Sequence, residues 1–153
     1  MLIGVPLETA PGETRVAVTP ETLRKLKAQG HVIRVQSGAG VAASATDQGY
    51  AAAGAEITDR AGAFGVDLVL KVRSPSAEEL PMMKTGAAVV GMLNPFDQDN
   101  LHRLAGAGVV GFALEAAPVF IIDSSLCSGE RTLSTRSQPK APVASVISAP
   151  TAS

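Results

Sequence analysis

The chain has 153 residues, 46% hydrophobic and 18% charged, with a formal net charge of -1 at pH 7. That size fits one globular domain, and that charge excludes a strongly basic nucleic-acid binder. Four Phe, one Tyr and no Trp leave the core to Ala, Val, Leu and Ile and exclude stacking platforms for bases. The single cysteine, Cys127, cannot close an intramolecular disulfide, and residues 1–6 carry neither a basic segment nor a long apolar one. The expected location is therefore the cytoplasm. No stretch reaches the roughly 18 apolar residues that a membrane-spanning helix needs, so direct membrane insertion is not expected.

Leu2 to Val5 is an apolar run closed by Pro6 and predicts a first strand, followed by a polar loop containing Pro11 and Gly12. A helix follows with agreeing start and stop signals. Thr19 caps it, Pro20 suits its first turn, Glu21 and Lys25 are spaced for an i,i+4 pair, and Gly30 supplies the terminating residue. Its buried stripe is Leu23 and Leu26. Val32 to Val35 predicts a second strand, Ser37 to Gly40 a small-residue loop, and Asp47 to Ala53 a helix. The alternation continues with a strand at 55–57, a helix at 59–64 and a strong strand at 67–72. A weak turn at 76–83, broken by Pro81, precedes a strand at 87–93, a helix at 97–105 and a strand at 109–114. Near-continuous apolar strands separated by helices predict the α/β class: a three-layer, flavodoxin-like, doubly wound and mostly parallel sheet. After Pro118 Ser, Thr and Pro accumulate, so 119–153 reads as a divergent, irregular and disordered C-terminal tail.

Two stretches match the dinucleotide fingerprint in letters. Gly106 to Gly111 reads G-x-G-x-x-G but ends a helix and enters a strand, the reverse of the order that puts a pyrophosphate on a helix N-terminus. Gly38-Ala39-Gly40 follows a strand, yet Ser44 to Asp47 place the next helix cap several residues later, so it reads as a turn. Polar groups at strand ends are more informative. Arg15 lies after the first strand, Lys71 and Arg73 end the strong strand, and Asn94 closes the next. Carboxyl ends of parallel strands line the ligand crevice, where such cations can bind a carboxylate or phosphate. The competing reading pairs them with Glu8, Glu13 or Asp67 as ordinary edge charges. His31 and His102 read as surface residues without metal-ligand spacing, and Cys127 lacks a neighbouring base.

Gly4-Val5-Pro6-Leu7-Glu8 and Gly12-Glu13-Thr14-Arg15-Val16-Ala17-Val18-Thr19-Pro20 resemble the N-terminal signature shared by alanine dehydrogenases and the alpha subunit of proton-translocating NAD(P) transhydrogenases. Ser37 to Gly40, Ala53 to Ile57 and Leu70 to Pro75 continue the resemblance, which covers roughly residues 1–118. It places Arg15 at the signature arginine, and Arg73 and Asn94 at substrate-site positions. Alanine dehydrogenases carry K-V-K-E-P and L-H there, and their second Lys and the His handle pyruvate. Arg and Asn do not titrate usefully near neutral pH, whereas hydride transfer between two nicotinamides needs no acid or base. The substitutions, with Gly91 to Phe96, point to the transhydrogenase branch.

The resemblance implies an intact homodimeric subunit that uses NAD and NADP with a beta subunit and a membrane domain at the cytoplasmic face. It names no NAD-contact residue here. The R-x-x-R-A-Q-S-x-D loop expected after Pro118 is replaced by Val119 to Ser124, and the expected NAD-binding Rossmann domain does not follow. The chain alone is therefore read as a truncated or frame-shifted form that binds no cofactor and is inactive by itself. The alternatives are an alanine dehydrogenase-like fragment, a noncatalytic subunit-docking module and a degraded gene remnant.

Overall fold

In the computed structural model, residues 1–116 and the backbone of 120–122 are described. Seven strands form one sheet: β1 (Leu2–Val5), β2 (Val32–Gln36), β3 (Glu56–Thr58), β4 (Leu68–Arg73), β5 (Ala88–Met92), β6 (Val110–Ala113) and β7 (Phe120–Ile122). Their spatial order is β3-β2-β1-β4-β5-β6-β7. The first six pair in parallel, and β7 runs antiparallel to β6. The doubly wound α/β class expected from the alternating pattern is the class observed. The order 3-2-1-4-5-6 specifies it further, because it is that of the dinucleotide-binding topology, with its reversal between β1 and β4. The sequence reading placed no strand after Leu114, and β7 corrects it: a three-residue apolar run beside Ser-rich chain carries no alternation to detect. The remainder of the predicted tail, Cys127 included, lies outside the described residues.

The helices are α1 (Pro20–Ala28), α2 (Asp47–Ala52), α3 (Arg60–Phe64) and α4 (Gln98–Gly106), each within one residue of its expected start, and Thr19 caps α1 as expected. Thr19, Thr46, Asp59 and Asp97 each accept a backbone N–H of their helix's first turn, which satisfies donors that the helix leaves unpaired. Glu21 and Lys25 approach to 3.5 Å on α1, and Gly30, at φ +88°, lets the chain leave that helix. The weak turn expected at 76–83 narrows to a 3-10 turn at Leu80–Met82.

Alternation along each strand divides the core in two. Ile3, Val5, Ile33 and Val35 pack with Leu23 and Tyr50 on the side of α1 and α2. On the other side, Val69, Val89 and Leu93 pack with Phe64, Leu101 and Leu104 from α3 and α4. Gly4 faces this second side so closely that its strand lies against the carbonyl of Ala63. Tyr50 is fully buried and donates its hydroxyl to the Val18 carbonyl at 2.7 Å, tying α2 to the loop before α1. Val90, Met92, Val110 and Phe112 remain partly exposed. They alternate with residues of the α4-side core, so they lie on the opposite face of β5 and β6.

Candidate functional site

In sheets of this topology ligands bind in the crevice outside the carboxyl ends of the strands at the winding reversal, which here falls between β1 and β4. The loop after β1, residues 6–19, and the end of β4 meet there. Glu13 accepts from the Arg15 backbone N–H at 3.1 Å, from Arg15 Nε and Nη2 at 2.7 Å each, and from Arg73 Nε at 2.9 Å. One carboxylate thus joins the two arginines named from sequence. The Glu13 side chain is only 5% exposed, whereas those of Arg15 and Arg73 are 55% and 52% exposed, so the carboxylate lies beneath two solvent-facing guanidiniums.

Below this surface pair is a buried ionic layer. Lys71 Nζ lies 3.0 Å from Glu79 and 3.6 Å from Glu8, and all three side chains are at most 3% exposed. Glu79 also accepts from the Ser76 N–H at 2.9 Å and the Thr9 hydroxyl at 3.1 Å, with Arg60 at 3.6 Å. Glu8 accepts the consecutive N–H groups of Val72 and Arg73 at the end of β4. Lys71 and Arg73, two apart on one strand, go to different partners. The β4–β5 register shifts between Leu70 and Arg73, the signature of an extra residue in one strand. The edge-charge reading, in which Glu8 and Glu13 pair these cations, describes what is found. Asp67, its third candidate partner, instead lies 3.7 Å from Lys84.

Asn94 ends the neighbouring strand. Its backbone is left-handed at φ +48°, a region where asparagine is among the better-tolerated side chains. The Glu115 carboxylate accepts the N–H groups of both Leu93 and Asn94. Asn100 is buried and donates to the Leu93 carbonyl. Arg15 and Arg73 are therefore brought together, and Asn94 stands at the adjoining strand end. Glu79 and Glu115 were missed from sequence, since neither is part of a recognised motif and their decisive partners, Lys71 and the Leu93 and Asn94 N–H groups, lie on other elements.

The described residues do not fit a dinucleotide pyrophosphate. Such a group needs a short glycine loop from β1 directly onto free amides of the next helix. Here residues 6–19 intervene, Thr19 caps α1, and Pro20 has no N–H to offer. At the other glycine candidate, Asp47 takes the Gly38 N–H at 2.9 Å and the Ser37 hydroxyl at 2.6 Å. Gly40 is required for packing, because a Cβ there would lie 2.6 Å from the Tyr50 ring. Gly106 and Gly108 sit at the end of α4 and lead into β6, the order already argued against a cofactor.

His102 is exposed, whereas His31 is half-buried rather than a surface residue, and its Nδ1 has no hydrogen-bond partner among the described residues. Among the described residues no cluster of His, Cys, Asp and Glu could hold a metal, and no helix is long and apolar enough to cross a membrane. A shallow groove of about 400 Å³ beside α4, lined by Leu80, Met83 and Arg103 among others, includes none of the strand-end residues.

Three carboxylates are held below their ordinary values: Glu13, Asp47 and Asp67, the last chiefly by the Leu2 N–H. Glu13 is held down from 4.5 chiefly by its hydrogen bonds from Arg15, and Asp47 from 3.8 by the Ser37 hydroxyl and then the Gly38 N–H. A carboxyl with a depressed folded value stabilises the fold fully above its unfolded value, and loses that contribution as pH falls through the folded one. The contribution of these carboxylates to stability should therefore decline as pH falls below those ordinary values. Asp47→Asn should lessen the acid dependence, and an unchanged acid slope in that variant would remove Asp47 from the account.

The fold and site together define a doubly wound α/β domain with two solvent-facing arginines at its winding reversal. Residues 4–124 match the family described as alanine dehydrogenase/PNT, N-terminal domain, and the chain belongs to that family. It is 38% identical over 122 residues to NAD(P) transhydrogenase subunit alpha of Haemophilus influenzae, covering 77% of this chain and 23% of that protein. It is 34% identical over 116 residues to alanine dehydrogenase 1 of Staphylococcus aureus, covering 75% and 31%. Among solved structures, a transhydrogenase from Sinorhizobium meliloti superposes with a TM-score of 0.71 at 37% identity, over 74% of this chain and 34% of that one. An L-alanine dehydrogenase superposes with the same TM-score at 30% identity. The chain thus spans between about a quarter and a third of the length of these relatives.

Proposed function

We propose that this domain works as the N-terminal part of an NAD(P) transhydrogenase alpha subunit, in hydride transfer between NAD(H) and NADP(H) coupled to proton translocation. The reading is carried by the chemistry at the two strand ends. By the motif resemblance, Arg73 and Asn94 take the positions that alanine dehydrogenases fill with Lys and His, and Arg73 is tied to Glu13. A guanidinium stays charged at every working pH and an amide does not titrate, so neither exchanges protons with an imine or carbonyl. Hydride transfer between two nicotinamides makes no such demand. In this reading the Arg15 and Arg73 guanidiniums form the ligand-facing end of the crevice, where they bind and orient an anionic group.

The proposed partners are a second alpha subunit, an NADP(H)-binding beta subunit and a membrane domain on the cytoplasmic side. In this reading NAD(H) is held by a separate nucleotide-binding domain of the intact subunit. Relatives from both branches stand at comparable identity, which keeps NAD-dependent alanine dehydrogenation as the second reading.

The test joins this domain to the nucleotide domain of a transhydrogenase relative and supplies the beta subunit. Reduction of an NAD analogue by NADPH, with no NADH oxidation by pyruvate and ammonium, is the expected result. The reverse pair of outcomes overturns the proposal in favour of the dehydrogenase.

A further inference from the structure

Asn94 is held in a backbone conformation that its own sequence opposes. A residue before proline is pushed towards extended backbone, and Pro95 follows Asn94, yet Asn94 stands left-handed at φ +48°. The other non-glycine residue with positive φ among those described, Ser44, ends a 3-10 turn, a helix-end position where left-handed backbone is common. Asn94 has no such excuse, since it lies between the end of β5 and the cap of α4. An outlier of this kind persists only where its surroundings over-determine it.

The surroundings do so bond by bond. The Glu115 carboxylate accepts the N–H of Leu93 at 3.1 Å and the N–H of Asn94. The Leu93 carbonyl accepts from Nδ2 of the buried Asn100, and the Asn94 carbonyl accepts from the Asp97 N–H at 3.1 Å. Every backbone polar group of residues 93 and 94 is thereby engaged. Asn100 is itself fixed from the neighbouring strand end, because Ser74 donates its hydroxyl to Oδ1 at 2.8 Å. Ser74 after β4, Asn100 on α4, the turn after β5 and Glu115 after β6 thus form one connected line across three strand ends. Two of the four bonds to the turn come from the single carboxylate, and bonds to an ionised acceptor are the strong ones. The Asn94 side chain is exposed and makes no hydrogen bond among the described residues.

We infer that Glu115 is a positioning residue that holds the turn at Asn94 left-handed against its local preference, and so fixes where the free Asn94 amide stands at the strand-end site. That this amide serves the reaction rests on the reading above, whereas the hold of Glu115 on the turn does not.

The experiment compares the full 153-residue chain with its E115A variant by NMR. The coupling between the N–H and Hα protons of residue 94, with its Cα shift, reports φ, and amide exchange at Leu93 and Asn94 reports the two bonds. The Leu114 amide, which donates to the Gly91 carbonyl at 2.9 Å, reports whether β5 and β6 remain paired. Wild type should show a left-handed Asn94. In E115A residue 94 should move to extended values, with both amides exchanging about tenfold faster or more, the loss of a charge-assisted bond, while Leu114 is unchanged. If E115A does not fold, E115Q, which keeps the size and gives up the charge, is measured in its place and must show the same changes. A residue 94 that stays left-handed with both amides protected overturns the role of Glu115, as does an Asn94 that is not left-handed in wild type. In the joined enzyme described above, E115A should lower kcat about tenfold or more with a smaller change in KM, since the nucleotide domain is untouched. A turn that relaxes without loss of kcat overturns the part of Asn94 in the reaction. An inactive wild-type form of that enzyme counts against the functional reading, and the NMR result still decides the role of Glu115.

Discussion

Lys71→Met is expected to cost about 3–5 kcal/mol of folding stability, the range found when one partner of a buried ion pair is removed. Lys71 is 3% exposed and is the cation closest to Glu79, which is fully buried. Methionine fills nearly the same volume, so the loss is not one of packing. What remains is a carboxylate whose residual support is the Ser76 N–H, the Thr9 hydroxyl and Arg60 at 3.6 Å. Glu8 loses its lysine as well. The ammonium also stands 5.7 Å from the centre of the Phe64 ring, a cation–π contact that methionine does not reproduce. Urea unfolding measures the loss, and the double variant with Glu79→Gln should recover part of it, since the uncompensated charge is then gone. A loss below about 1 kcal/mol, the level of an exposed pair, would mean that water reaches this layer and the network is not buried in solution.

That layer also marks where the sequence stops being legible. The helices could be read because their signals are local: Thr19 and Pro20 start α1 within two residues, and Asp59 and Asp97 cap α3 and α4 in the same way. Most of the parallel strands could be read from near-continuous apolar runs such as those of β1, β4 and β5, whereas β3, at the sheet edge, is largely exposed. The site was legible in part. Arg15, Arg73 and Asn94 stood out as strand-end polar residues, and Glu8 and Glu13 as charges within reach. Glu79 did not, because it sits in a turn broken by Pro81 and its value comes from Lys71 on a different element. Glu115 likewise acts on Leu93 and Asn94, residues of the preceding strand end. A carboxylate's fate is decided by which N–H groups the fold brings to it, and no local period encodes that. The left-handed backbone of Asn94 is equally silent in sequence, although it gives the asparagine a conformational reason beside the chemical one.

Gly4→Ala is expected to be among the most damaging glycine-to-alanine changes at the described glycines, at about 3 kcal/mol, because it overpacks against backbone rather than against a side chain that can rotate. A Cβ at Gly4 would lie 1.9 Å from the Ala63 carbonyl oxygen and 2.8 Å from Cγ2 of Val66. Relief requires α3 to lift from β1, and α3 carries Phe64, the fully buried ring beside Lys71. The damage would therefore spread from a strand centre to the ionic layer under the site. Gly106→Ala is the matched control, since a Cβ there meets nothing within 4 Å and replaces a poor helix former with a good one at the end of α4. It should be neutral or stabilising by up to about 1 kcal/mol. Thermal or urea unfolding of the pair separates the two effects of a methyl group. If Gly4→Ala unfolds at the wild-type midpoint, α3 is not seated on β1 as described, and the burial of Lys71 and Glu79 beneath the crevice goes with it. If it is destabilised while Gly106→Ala is not, the loss comes from the close approach of α3 to β1 and not from an added methyl group as such.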